Sequence, residues 1–126
     1  MRLIQAVLVT LMVTFAPQVQ AQATMQLMQL IQALQLADFS DVSEKLYNAN
    51  TVYVTRITEL AGIRLQGDRL TNMVDRRTRH LRSLRAMVRN SKAAIKALER
   101  HGEQLDNVIF ATATNDGAAM LYVDNR

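Results

Sequence analysis

The sequence contains no cysteine and no tryptophan, and only one proline and four glycines among its 126 residues. The lack of cysteine excludes disulfide bonds, thiolate metal sites, a cysteine nucleophile and lipid attachment to an N-terminal cysteine. Small exported proteins often depend on disulfides to hold their fold together. This chain must therefore be stabilised by an ordinary hydrophobic core.

Motifs that carry chemistry are also scarce. The two histidines, His80 and His101, are too far apart in sequence for the short spacing of paired metal ligands. The sequence has no nucleophile-elbow pattern, no phosphate-binding loop and no dinucleotide-binding glycine pattern. Asp116 lies in an Asn-Asp-Gly turn, whereas a calcium loop needs several more oxygen ligands. We therefore predict no catalytic, cofactor-binding or metal-binding residues, with a small exported enzyme of unknown reaction as the alternative.

The long apolar run of this sequence lies near its N-terminus. Residues 3–16 are apolar apart from three polar positions, and an Ala-Gln-Ala sequence follows at residues 21–23. A positively charged start, an apolar stretch and small residues before a cleavage point are typical of a secretory signal peptide. An uncleaved membrane anchor is disfavoured, because the run is shorter than the roughly 20 residues that span a bilayer. We predict that residues 1–23 are a signal peptide, cleaved after Ala23 or Ala21, and that the protein is periplasmic or secreted.

The remainder of the chain, residues 24–126, is long enough for a single small domain with its own core. It has no further segment that could span a membrane. Apolar side chains recur with a helical period over residues 24–37. Ser40 or Asp41 is placed to cap a short second helix that runs through Tyr47. The domain is therefore predicted to begin with two helices.

A long amphipathic helix is predicted over residues 69–101, with apolar side chains on one face and arginines on the other. Arg77 falls within the apolar face, and we expect its stem to be buried and its head to lie at the edge. Gly102 is well placed to end the helix, and Ser91 could cap a second segment if the helix breaks there. Apolar residues also recur every seven positions, which leaves a coiled coil as an alternative to packing on the domain's own core.

Two regions favour β-strands. Residues 51–58 are rich in β-branched and aromatic side chains, although a helix remains an alternative there. Two further β-favouring runs flank the Asn-Asp-Gly turn and predict a hairpin at about 107–124. The predicted fold class is therefore α+β, with a small antiparallel sheet packed by one face on the long helix of residues 69–101. The alternative is a mostly α-helical hairpin or coiled coil.

Positive charge is concentrated in one segment of the chain. Residues 68–100 contain ten Lys or Arg and three Asp or Glu, a net charge of +7 (10 minus 3). Most of these cations are arginines, whose fixed donor geometry suits carboxylate and phosphate groups. We take one face of the predicted helix as a candidate partner-binding surface. Its residues are Arg76, Arg79, Arg82, Arg85 and Arg89.

These observations predict an exported, non-catalytic binding or adaptor protein of the cell envelope that uses this basic helix face. The expected partner is an acidic protein or an anionic envelope component. Export and the scarcity of aromatic residues, with none between Tyr53 and Phe110, argue against nucleic acid. One alternative is a structural protein with no charged ligand, whose arginines are solvated or pair internally with Glu103, Asp106 or Asp124. The sequence does not indicate an oligomeric state.

Overall fold

A computed structural model describes residues 26–126 of the chain. The predicted signal peptide and both cleavage positions lie outside these residues. The described residues form an α+β fold of five α-helices and a three-stranded sheet. This confirms the predicted fold class over the mostly helical alternative.

The first two helices are α1, Leu27–Leu36, and α2, Val42–Tyr47. The backbone N–H of Gln26 donates to the Gln29 side chain at the start of α1. The apolar face of this helix is fully buried, since Leu27, Leu30 and Leu34 have no exposed surface. Both helices were predicted, and the apolar period that predicted α1 corresponds to the side chains that it buries.

The connection between α1 and α2 differs in detail from the prediction. A 3₁₀ turn over Phe39–Asp41 precedes α2, and the Asp38 carboxylate accepts a hydrogen bond from the Ser40 N–H at 3.1 Å. Asp41 stands at the N-cap of α2 without a side-chain capping bond. The side-chain cap is therefore made one turn earlier than expected, because the short 3₁₀ turn offers its free N–H groups first.

The sheet consists of β1, Thr51–Arg56, β2, Val108–Ala113, and β3, Ala118–Val123, in the order β1-β3-β2. Strands β2 and β3 form the predicted antiparallel hairpin. Strand β1 also forms where it was predicted, but it pairs in parallel with β3. The sheet is therefore mixed rather than antiparallel, because the three intervening helices return the chain to the end of the sheet at which β1 ends, and the hairpin then reverses the chain so that β3 runs parallel to β1.

The hairpin turn also fixes the start of β1. Gly117 has a φ of 95°, which non-glycine residues adopt at a cost in strain. Its carbonyl oxygen accepts hydrogen bonds from the N–H groups of Asn50 and Thr51, at 2.9 and 3.1 Å. The Thr114 hydroxyl donates to the Asp116 carboxylate across the same turn, and this bond is the main cause that lowers the pKa of Asp116. The turn that the sequence predicted thus has a second role in strand pairing.

The predicted helix of residues 69–101 is three helices rather than one. They are α3, Ile63–Arg76, α4, Thr78–Arg89, and α5, Lys92–His101. The break before α5 was allowed for, and the Ser91 hydroxyl accepts the predicted capping bond from the Ala94 N–H at 3.2 Å. Gly102 ends α5 in the left-handed conformation, with a φ of 67°, as predicted.

The helices pack on the sheet in a defined order. Helix α4 and helix α2 contact β2, α5 contacts β1, and α1 contacts α3. Five consecutive residues of β3, from Ala119 to Val123, are buried, and successive strand residues point to opposite faces. The sheet is therefore covered on both faces, and not on one as predicted. Leu81, Leu84 and Val88 of α4 lie in this core. The apolar face of α4 therefore packs within the domain, and it is not available for the coiled coil that was the alternative.

Candidate functional site

Four of the five predicted arginines are exposed, and we call them together the arginine strip: Arg76, Arg79, Arg82 and Arg89. Arg76 ends α3, and the other three lie on α4. Among the described residues, no hydrogen bond or ion pair involves their guanidinium groups. All acidic residues of the sequence lie between Asp38 and Asp124, within the described part. No acidic side chain among the described residues therefore forms an ion pair with the strip, although Asp75 directly precedes Arg76 in the sequence.

The acidic residues near the C-terminus have other partners. Glu103 pairs with Arg56, and Asp124 pairs with Arg126 at 2.9 Å; these are the two ion pairs among residues 26–126. The hydrogen bond from Arg126 is the main cause that lowers the pKa of Asp124. Asp106, the third acid considered as an internal partner, is exposed and makes no ion pair with a described residue.

Arg85, the fifth predicted residue, has a structural contact. It is half-buried, and its Nε donates to the carbonyl oxygen of Val108 at 3.0 Å, where β2 begins. An edge strand has unpaired backbone groups on its outer side, and here Arg85 of α4 forms a hydrogen bond with one of them. The structure therefore separates Arg85 from the other four by its hydrogen bond and its burial.

Arg77 lies at the break between α3 and α4. Its Nη2 donates to the carbonyl oxygen of Ala37 at 2.6 Å, and its Nε is buried without a hydrogen-bond partner among the described residues. Ala37 is the C-cap of α1, where free carbonyl groups favour a cation. The buried stem of Arg77 was expected, and its head binds the end of another helix.

A second basic surface lies between α5 and β1, and the sequence did not predict it. The open space there has a volume of about 600 Å³ and is lined on the strand side by Val52, Tyr53 and Val54. The helix side contributes Lys92, Lys96 and Arg100, spaced four residues apart and exposed. We call this feature the basic groove. Glu99, the one acidic residue of α5, is not among its lining residues.

Small side chains of α5 allow this helix to lie close to the sheet. Ala94 and Ala97 are fully buried, and Ala93 lines the groove. Arg56, at the end of β1, holds the C-terminal end of α5 in place. Its Nε donates to Glu103, and its Nη2 donates to the carbonyl oxygen of His101 at 2.7 Å. The position of the groove wall relative to β1 is thus fixed by a charged side chain.

Both histidines are accounted for by local structure. His101 Nδ1 donates to the Ala97 carbonyl oxygen at 2.9 Å within α5. His80 is exposed and adds a small electrostatic effect to the lowered pKa of Asp38, whose main cause is the hydrogen bond from the Ser40 backbone. Within residues 26–126, no group of three His, Cys, Asp or Glu side chains could hold a metal ion. None of the helices in that range is long and apolar enough to cross a membrane.

The fold and these surfaces define a small α+β protein with a mixed three-stranded sheet and two basic surfaces whose cations form no ion pair with a described residue. The chain matches no protein-family model, and comparisons with curated proteins and with solved structures likewise found no match. The functional argument therefore depends on the residues themselves.

Proposed function

We propose that this protein is a non-catalytic binding or adaptor protein of the cell envelope that holds an acidic protein partner against the arginine strip. The observation that carries this proposal is the exposure of four arginines without an acidic partner among the described residues. Neighbouring like charges cost a helix a few tenths of a kcal/mol per pair. The strip is thus slightly unfavourable for the isolated protein, and an acidic ligand would remove that cost.

The composition of α4 supports a binding role for this surface. The helix contains no acidic residue, and Arg79 lies in its first turn, where the helix dipole disfavours a cation. Arg89 lies in the last turn, where a cation is favoured, so the helix dipole explains Arg89 but not Arg79 or Arg82. Arginine side chains can form paired hydrogen bonds to a carboxylate, which favours an acidic protein surface as the partner.

Export is part of the proposal and depends on residues 1–23, which lie outside the described residues. If the signal peptide is cleaved as predicted, the mature protein begins at Thr24 or at Gln22. Mass spectrometry of a tagged full-length protein recovered from the periplasm or medium would identify that N-terminus. Retention of Met1 in a cytoplasmic product would contradict export.

The binding proposal is tested with a strip variant in which Arg79, Arg82 and Arg89 are changed to Gln. A control variant removes the same charge elsewhere, by changing Lys45, Arg64 and Arg69 to Gln. Affinity capture from an envelope extract should recover an acidic protein with the parent and the control but not with the strip variant. Capture should also weaken with salt, because the screening length falls from about 10 Å at 0.1 M to about 3 Å at 1 M.

The strip variant should fold as the parent does, since exposed substitutions change stability by less than about 0.5 kcal/mol each. If it melts far below the parent, the arginines have a structural role. If it folds and captures the same proteins as the parent, they are a solvated face and the proposal is wrong. Binding to phosphatidylglycerol vesicles that depends on the strip, without capture of an acidic protein, would instead identify an anionic envelope component as the partner.

A further inference from the structure

Strand β1 lies at an edge of the sheet, and half of its backbone groups face away from β3. The sheet order is β1-β3-β2, so β3 is the only described strand beside β1. The Thr51 N–H donates to Gly117, the residue before its partner Ala118. In a parallel ladder, alternate residues bond to the same neighbour. The N–H and C=O groups of Val52 and Val54 therefore point to the open edge.

The open edge faces the basic groove. Val52 and Val54 line it together with Tyr53, and no hydrogen bond from outside the sheet reaches the backbone of either valine within residues 26–126. Val52 is only 5% exposed and Val54 is half-buried. Buried backbone groups without partners are rare in proteins, and a strand that enters the groove would supply partners for these. These groups could pair with an added strand, which is a common mode of peptide recognition.

The cations of the groove are spaced to match such a strand. Lys92, Lys96 and Arg100 are four residues apart on α5, which separates them by about 6 Å along the helix. Side chains on one face of a strand are two residues apart, or about 6.6 Å. Three carboxylates at alternate positions of an extended segment therefore span the same distance as the three cations, to within about 1 Å.

The helix dipole favours one of these cations, Arg100, which lies in the last turn of α5, but it does not explain the other two. Lys92 occupies the first turn, where the helix dipole disfavours positive charge, and the first turn contains no acidic residue. All three cationic side chains are exposed and form no hydrogen bond or ion pair with a described residue. Their free donors and the free edge of β1 lie on opposite walls of the same groove.

We propose that the basic groove binds an extended acidic segment of a partner protein. The segment adds a strand to the sheet at Val52 and Val54, and its alternate carboxylates contact Lys92, Lys96 and Arg100. This site is separate from the arginine strip and does not depend on it. Tyr53, which is 42% exposed, provides an apolar contact for side chains of the segment on the strand side of the groove.

The probe is a labelled synthetic peptide that alternates glutamate with threonine, and binding is measured by fluorescence anisotropy with the full chain after export. A groove variant changes Lys92, Lys96 and Arg100 to Gln, and the control variant changes Lys45, Arg64 and Arg69 to Gln. The groove variant should bind the peptide about tenfold more weakly than the parent or the control. The strip variant should bind as the parent does, which distinguishes this site from the proposed function.

Backbone pairing is tested independently of charge. The alternating peptide with every backbone nitrogen methylated keeps the carboxylates but has no N–H group to donate in either register, and it should bind much more weakly. In NMR spectra, the amide signals of Val52 and Val54 should shift and gain protection from exchange when the alternating peptide binds. If the groove triple variant does not fold, the single charge reversal Lys96→Glu provides the same comparison.

Several results would overturn the proposal. Equal affinity of the parent and the groove variant would show that the cations do not contact the peptide. Equal affinity for the peptide with methylated backbone nitrogens would show that the strand edge is not used. Groove-dependent binding of phosphatidylglycerol vesicles or single-stranded DNA, with no peptide binding, would assign the groove to another ligand. If the parent binds no peptide and the groove variant aggregates, the cations only protect an open strand edge.

Discussion

The side chain of Arg56 joins the end of β1 to the end of α5, and its removal should destabilise the protein measurably. Arg56→Ala removes the hydrogen bond to the His101 carbonyl and the ion pair with Glu103. The Glu103 side chain is only 11% exposed, so its carboxylate would be left poorly solvated. A hydrogen bond to a charged group contributes about 1.5–3 kcal/mol. Because the Arg56 side chain is 34% exposed, solvent reduces this, and we expect a loss of about 2 kcal/mol.

Urea denaturation of Arg56→Ala and of the parent measures this loss directly. For a domain of this size, about 2 kcal/mol corresponds to a decrease in Tm of roughly 8–15 °C. Arg64→Ala is the matched control, because Arg64 is exposed and forms no hydrogen bond or ion pair with a described residue. In a double-mutant cycle with Glu103→Gln, the two changes should be coupled by about 1 kcal/mol. A loss below about 0.5 kcal/mol for Arg56→Ala would refute the role given to this side chain.

Three further predictions concern the core, the hairpin turn and an ion pair. Leu84→Asp should unfold the protein in circular dichroism, because Leu84 is fully buried and no cation would pair with the new charge; a folded, monodisperse variant would contradict the packing. Gly117→Ala should lower the free energy of unfolding by about 1–3 kcal/mol in urea denaturation, given its positive φ and an added Cβ only 3.0 Å from Asn50 Oδ1. Since Arg126 lowers the pKa of Asp124 below 3.8, this group stabilises the fold above that pH and loses its contribution as the pH falls through its folded pKa. Asp124→Asn should thus cost up to about 1 kcal/mol at neutral pH and progressively less in acid, and a constant difference between parent and variant would argue against the pair.

The elements that could be predicted from the sequence are those with local causes. The hairpin follows from the Asn-Asp-Gly turn, and Gly117 has the positive φ that such a turn needs. The end of α5 follows from Gly102, and its start follows from the Ser91 cap. In each case, one or two neighbouring residues determine the backbone conformation, so no knowledge of distant contacts is required.

The break at Arg77 and the parallel pairing of β1 depend on contacts between distant residues. Arg77 is neither a proline nor a glycine, and its side chain binds the carbonyl of Ala37, 40 residues earlier. Similarly, β1 would be antiparallel to its neighbour if it lay beside β2, but it lies beside β3. The amino-acid composition of β1 therefore does not distinguish parallel from antiparallel pairing. The hydrogen bonds from Asn50 and Thr51 to Gly117 favour the observed one.

The candidate site was predictable only as a charge pattern. The excess of cations in residues 68–100 identified the arginine strip, since exposed arginines follow a helical period. The same pattern could not show that Arg85 contacts Val108, because that bond depends on how α4 packs on β2. It also could not reveal the basic groove, which requires α5 to turn away from α4 and lie beside β1. A helix that continued through Ser91 would have kept these residues apart.

Five of the eleven acidic side chains have partners away from the basic surfaces. Asp38 binds the Ser40 backbone, and Glu59 binds the backbone of Arg56. Asp116 closes the hairpin turn, while Glu103 and Asp124 hold Arg56 and Arg126. These acids stabilise turns and chain ends, and none of them contacts the two basic surfaces. The cations of those surfaces are Arg76, Arg79, Arg82, Arg89, Lys92, Lys96 and Arg100.

Added salt should therefore affect the stability of the folded protein and its affinity for an acidic partner in opposite directions. Repulsion within the two basic surfaces should destabilise the folded protein at low ionic strength, and added salt screens it. The Tm should therefore rise between low and moderate concentrations of sodium chloride, whereas affinity for an acidic partner should fall over the same range. A variant with Arg79, Arg82 and Arg89 changed to Gln should show a smaller rise in Tm than the control with Lys45, Arg64 and Arg69 changed. Equal salt dependence in both would mean that the repulsion is not concentrated at the arginine strip, and would remove the energetic reason for assigning a partner to it.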